Sequence, residues 1–172
     1  MGKSLQALTA LAVLRLEKGL VSAPSLIVCP ASVALHWEDE IARYFPTQLL
    51  QAVRISKTGT GTGNLKELDG TAVVIVSYDT VRRSMSGASG LQLRDFVWET
   101  VILDEAHLIK NPHTATTQAV YALQAHHRIA LTGTPVQNQV LCSAYYMYFL
   151  CATVYYICIV CTIYLCHCIY YR

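Results

Sequence analysis

Apolar residues recur at Leu5, Leu8, Leu11, Ala12, Leu14 and Leu16, the spacing of a buried helical face, and predict a helix that ends near Gly19. Four short, mostly apolar runs punctuate the chain beyond that helix: Leu26 to Cys29, Val73 to Val76, Val101 to Leu103 and Arg128 to Leu131. None alternates polar with apolar residues, so each reads as a strand covered on both faces, as in a parallel sheet. Pro30 stops the first run, and Ser32 is placed to cap a helix through about Tyr44. A second interstrand helix is expected from Thr114 to Gln124. This alternation predicts an α/β fold with a doubly wound parallel sheet, whose chemistry lies at the carboxyl ends of its strands. Lys57 to Asn64 and Ser84 to Gly90 break the rhythm and read as surface loops. The first is glycine-rich like a phosphate cradle, but it lacks the Lys-Ser/Thr ending and a clear helix start.

Composition divides the 172 residues into two unlike pieces. All acidic residues, every basic residue except Arg172, and only Cys29 of the seven cysteines fall in residues 1–138. That body has room for a core, and its single cysteine excludes a disulfide framework. A formal charge of +2 is too small for a general polycation, so any nucleic-acid contact must be a local patch. Residues 139–172 form an apolar tail rich in Tyr and Cys that does not read as a domain.

The candidate chemistry lies in the body. Gly2-Lys3-Ser4 opens the first helix like the last positions of a phosphate-binding loop, where backbone N–H groups, a lysine and a magnesium-binding hydroxyl hold phosphates. Alone, the tripeptide better suits an ordinary helix start with an exposed Lys. The third apolar run delivers two adjacent carboxylates, Asp104 and Glu105, to its end, one suited to a metal and the other to a water. An acidic helix cap is the plain alternative for such a pair. The last run ends in Leu131-Thr132-Gly133-Thr134-Pro135-Val136-Gln137-Asn138, a turn of hydroxyls, glycine and amides able to sense neighbouring phosphates or carboxylates.

Taken in order, these segments resemble the first RecA-like lobe of the Swi/Snf-type (Snf-two family) helicase-like ATPases. The motifs that carry the resemblance are Gly2 to Gln6, Leu26 to Pro30 with His36-Trp37-Glu38-Asp39-Glu40, Val76 to Asp79, and the DEAH box Asp104-Glu105-Ala106-His107 with Ile109-Lys110-Asn111. Leu131 to Asn138 completes the set. Pro24 to Pro30 and the His36-Trp37 pair are most similar to the subfamily that strips TATA-binding protein from DNA.

The resemblance implies a nuclear, ATP- and Mg2+-dependent translocase on double-stranded DNA, acting on TATA-binding protein or nucleosomes, with ATP as the only small-molecule substrate. It further implies that Gly2 and Lys3 bind phosphate, with Lys3 at the β/γ oxygens, that Ser4 and Asp104 hold magnesium, and that Glu105 activates water. By the same resemblance, His107 and Gln137 couple hydrolysis to a second lobe. Ser77, Thr132, Thr134 and the Pro30–Ser32 turn would contact the DNA backbone or link it to ATP. For Trp37, packing on an amphipathic helix is the expected role.

The family has a strand and a longer glycine loop before the lysine, whereas only Met1 and Gly2 stand there in this sequence. The resemblance therefore implies an incomplete lobe, marginally folded and with negligible ATPase activity alone; a non-catalytic nucleotide- or protein-binding module is the other function considered. The tail carries no Asp, Glu, Lys or Arg in residues 140–171, yet its tyrosines are spread throughout, so no membrane helix is expected. Cys158, Cys161, Cys166, His167 and Cys168 are poorly spaced for zinc. Tyr, Cys, Ile, Val, Thr, His and Met share codons that alternate pyrimidine with purine. The tail is thus expected to be translated repetitive sequence outside the evolved reading frame.

Overall fold

A computed structural model of the chain describes residues 2–18, 23–55, 68–85, 93–133 and 156–160, the last as backbone only. In chain order the elements are α1 (Lys3–Lys18), β1 (Ser25–Cys29), α2 (Ala34–Tyr44), β2 (Gln51–Arg54), β3 (Ala72–Ser77) and α3 (Tyr78–Met85). They continue with β4 (Val97–Leu103), α4 (Ala115–Tyr121), β5 (Gln124–Thr132) and β6 (Tyr156–Val160). The six strands form one sheet in the order β2-β3-β1-β4-β5-β6, and every neighbouring pair is parallel.

Alternation within the apolar runs builds two separate cores. Leu26, Val28, Val74, Val76, Val101 and Leu103 face one side, where Val81 of α3 and Ala119 and Val120 of α4 cover them. Ile27, Val73, Ile75, Ile102 and Ile129 face the other, against Leu8 and Leu11 of α1 and Trp37 and Ile41 of α2. Helices on both faces explain why these strands carry no polar alternation, and the doubly wound sheet expected from the pattern is the observed one.

Arg15 ties the lower end of this arrangement together. It is buried, and donates to the carbonyl oxygens of Leu49 at 2.9 Å and Ala72 at 3.0 Å. Burial pulls its pKa down to about 10, partly opposed by the charges of Asp69 and Glu99, so the guanidinium stays charged at neutral pH and those two carbonyls keep a donor.

The structure departs from the sequence pattern at several points. Ser32 does not cap α2: Ala31–Val33 form a 3-10 turn closed by Val33 N–H to the Pro30 carbonyl at 3.1 Å, and α2 then starts without a side-chain cap. The helix expected to reach Gln124 ends at Tyr121, after Thr114 has capped it by accepting from Thr117 N–H, and Gln124 already belongs to β5. Gln124, Ala125 and His127 lie opposite Val97, Trp98 and Thr100 in the ladder, so backbone pairing extends β5 through residues whose polarity hid it. Ser84 and Met85 end α3 instead of starting a loop, since the Ser84 hydroxyl bonds back to the Val81 carbonyl at 2.7 Å. The remainder of that loop, residues 86–90, lies outside the described residues, as does the glycine-rich stretch 57–64. Of the tail, 156–160 form β6 beside β5, with Arg128 opposite Tyr156 and Thr132 opposite Val160. No helix among the described residues is long and apolar enough to cross a membrane.

Candidate nucleotide site at the strand ends

Strand order reverses direction between β1 and β4: from β1 the chain moves outward to β2 and β3, then returns to β4 and continues to β5. A parallel sheet opens a crevice beyond its carboxyl ends at such a point. The ends of β1, β4 and β5 meet there in register, Val28 opposite Leu103 and Leu103 opposite Ala130. The predicted residues Lys3, Asp104, Glu105 and Gly133 are all placed on this side.

Gly2 adopts φ +94, a conformation side chains resist, and turns the chain into α1 with its carbonyl accepting from Gln6 N–H at 3.0 Å. Lys3 is then the first residue of α1, with Ser4 beside it, both half-buried. Lys3 reaches across to the end of β5: a Cβ added to Gly133 would stand 3.6 Å from its Nζ. The first helix and the last described strand of the body thus meet at one ammonium group.

Asp104 continues directly from β4, its N–H bonding to the Val28 carbonyl of β1 at 2.8 Å. Its carboxylate is held from both sides. Oδ1 accepts from Glu105 N–H at 2.9 Å, and Oδ2 accepts from Trp37 Nε1–H at 2.9 Å. Its carbonyl accepts from the Tyr78 hydroxyl at 2.7 Å. Glu105 takes a left-handed backbone conformation, φ 49 and ψ 49, uncommon for a residue with a side chain and costing about 1 kcal/mol. That bend starts the 3-10 turn Ala106–Ile109 with no side-chain cap, so the acidic-cap alternative for Asp104-Glu105 is not what these carboxylates do. His107 Nδ1 lies 3.1 Å from Glu105 Oε2, close enough for a charge contact but misaligned for a hydrogen bond.

Ser77, at the end of β3, engages its hydroxyl with Thr80, 2.9 Å from the Thr80 hydroxyl and 3.2 Å from its N–H, which fixes the start of α3. Thr132 is buried at the end of β5. Thr134 and Gln137 lie outside the described residues. Two contributors escaped the sequence reading, the indole N–H of Trp37 and the hydroxyl of Tyr78. The clue for the first was chemical: an indole carries a donor and no acceptor, and when buried it usually finds an acceptor nearby.

Cys29, at the end of β1, is fully buried, and its thiol approaches the Val76 carbonyl at 3.8 Å. Burial, reinforced by the negative charge of Asp104, pushes it from the usual 9.0 up to about 12. Because only the thiolate reacts, Cys29 is expected to stay unmodified by iodoacetamide at pH 8 in the folded chain and to react once urea unfolds it, as read by peptide mapping. Folding favours the neutral thiol. Its contribution is therefore complete below about pH 9 and lost as pH rises from 9 to 12. Cys29→Ala is expected to make stability fall less steeply over that window, and an equal fall in both proteins would contradict this.

The donors present suit magnesium. Asp104 keeps a free lone pair on each oxygen beyond its two hydrogen bonds, and Ser4 adds a hydroxyl, hard oxygen ligands of the kind the ion takes.

Comparison with known proteins bears on the family and the fold. Residues 1–155 match the SNF2-related domain. Over 119 residues, 69% of this chain and 6% of the relative, the sequence is 39% identical to the TATA-binding protein-associated factor BTAF1 of Arabidopsis thaliana. It is 36% identical over 121 residues to TATA-binding protein-associated factor 172 of Homo sapiens, again 69% of this chain and 6% of the relative. The chain thus spans a small part of the curated relatives it matches. Among solved structures, the Sulfolobus solfataricus SWI2/SNF2 ATPase core domain superposes with a TM-score of 0.65 at 32% identity, over 87% of this chain and 28% of that one. The same ATPase core in complex with double-stranded DNA shares the fold, with a TM-score of 0.67 at 24% identity, covering 91% of this chain and 38% of that one. By this match and its parallel sheet, the chain belongs to the SNF2-related domain family.

Proposed function

We propose that this chain is the nucleotide-holding part of an ATP-dependent motor on double-stranded DNA, working in the nucleus on protein–DNA complexes. Residues 1–138 would be the working lobe, and complexes of TATA-binding protein, ahead of nucleosomes, would be what it remodels. The names of the relatives support that choice of target. The observation that carries the reading is the meeting of Lys3 with Gly133 at the strand edge where β4 delivers Asp104 and Glu105.

Each residue then has a task. Gly2 aims the open N–H groups of α1, and Lys3 adds a positive charge where β/γ phosphates would lie. Ser4 and Asp104 would hold Mg2+, which when bound neutralises phosphate charge and orients the terminal phosphate. Glu105, half exposed on a left-handed turn of the backbone, would accept a proton from the attacking water. His107 stands within charge contact of Glu105 and, with Gln137, would pass its state to a second lobe. Ser77 and Thr132, with Thr134 and the Pro30–Ser32 turn, would relate the DNA backbone to this edge.

Titration of the full chain with a fluorescent ADP analogue and MgCl2 tests the reading. Lys3→Ala is expected to weaken binding about 10- to 100-fold, the worth of a charge-assisted contact. Glu105→Gln is expected to leave it within about threefold, because that carboxylate serves the chemical step and not the grip. Binding unaffected by Lys3→Ala would refute a nucleotide site here.

A further inference from the structure

We infer that Trp37 is a positioning residue for the nucleotide-bound metal, acting through the Asp104 carboxylate; the inference rests on the nucleotide reading of Asp104. Trp37 lies on α2, 67 residues before Asp104, and no local chain geometry brings them together. Its ring is 1% exposed, packed among Ile27, Ile41 and Leu50 on the α1–α2 face of the sheet. Packing alone needs only the ring's apolar area. The structure adds a direction: the one polar atom of the indole points out of that core at Asp104 Oδ2, 2.9 Å away.

An indole N–H donates and never accepts, so this contact always favours an acceptor oxygen at that spot. The Glu105 N–H takes the other oxygen. Two donors on opposite oxygens, one on the backbone just past β4 and one on a core-locked ring, fix the plane of the carboxylate. They also leave one lone pair per oxygen available to a further ligand. A carboxylate free to rotate would present those lone pairs to a cation only part of the time. Outer-shell donors of this kind are worth about 10- to 100-fold in metal affinity. Trp98 provides an internal contrast. It is equally buried, and its N–H goes to the Leu93 carbonyl at 3.1 Å, within its own segment of chain.

Two-dimensional 15N–1H spectra of the full chain resolve the two indole signals and separate the questions. Asp104→Asn is expected to shift the Trp37 indole signal and speed its exchange with solvent, leaving that of Trp98 in place. An unmoved Trp37 signal overturns the proposal at its geometric base, whatever the chain does with nucleotide. Metal is then read with MnCl2 and ADP through paramagnetic broadening of the Asp104 and Glu105 backbone amides. Trp37→Phe, which keeps an aromatic ring but no donor, is expected to raise the half-broadening Mn2+ concentration about 10-fold. Ile41→Ala disturbs the same core without touching Asp104 and is expected to leave that concentration within about twofold. Equal shifts in both variants, or none in Trp37→Phe, reduce Trp37 to packing and overturn the proposal. Absence of broadening in the unsubstituted chain overturns the metal reading of Asp104, and the positioning role falls with it. In that case the response of the indole to Asp104→Asn still shows whether the hydrogen bond exists.

Discussion

Trp98→Ala is expected to cost about 3 to 5 kcal/mol of folding stability, a large share of what a domain of this size has. Trp98 is fully buried near the start of β4, tilted against Phe96 with ring centroids 5.7 Å apart, in the core that α3 and α4 close over. Removing it leaves a cavity the size of an indole in that core. It also strands the Leu93 carbonyl, which accepts the indole N–H. Trp98→Phe should recover most of the packing and lose mainly that bond, about 1 to 2 kcal/mol. Urea denaturation followed by circular dichroism measures both. A loss below about 1 kcal/mol for the alanine variant would mean that this core does not hold β4, and therefore Asp104, in place.

Burial on both faces of the sheet is what made the fold legible. Ile27, Ile75, Ile102 and their neighbours leave no doubt about a strand, because only a strand covered by helices on both sides tolerates such runs. Where burial was partial, the pattern failed. β2 consists of Gln51, Ala52, Val53 and Arg54 at the edge of the sheet, with both ends exposed, and nothing in four such residues distinguishes a strand from a connection. α3 carries Asp79, Arg82 and Arg83 as ion pairs on its outer side, and its polar sequence concealed the buried Val81. At the site, the residues fixed by short-range chemistry were readable: a glycine at φ +94 before Lys3, and two acids at the end of an apolar run. Contacts made across the fold were not. Trp37 meets Asp104 over 67 residues, and Tyr78 meets it over 26, separations at which the sequence carries residue type but no distance.

The arginines set the second large expectation, for turnover. Hydrolysis in this class of site is accelerated about 10³- to 10⁵-fold by an arginine placed on the transferring phosphate. Among the described residues, Arg54 pairs with Glu38, Arg82 and Arg83 with Asp79, and Arg94 with Asp95. Arg43 stacks over Tyr44, while Arg15 and Arg128 donate to main-chain carbonyls inside the fold. The four ion-paired arginines lie at the surface, 37% to 57% exposed. If Lys3, Asp104 and Glu105 hold nucleotide as proposed, a site with no arginine on the transferring phosphate would bind it far better than it stabilises the transition state. Phosphate release by this chain with double-stranded DNA and saturating MgATP is therefore expected to run at least about 10³-fold slower than that of the Sulfolobus solfataricus SWI2/SNF2 ATPase core, of which the chain covers 28%. The deficit should lie in kcat, with nucleotide affinity reduced much less, because the missing charge acts on the transition state and not on the bound triphosphate. Turnover within about tenfold of that core would show that an arginine of this chain leaves its partner to serve the phosphate. Arg82→Ala and Arg83→Ala, one turn beyond the Tyr78 that touches Asp104, would then be the first variants to measure.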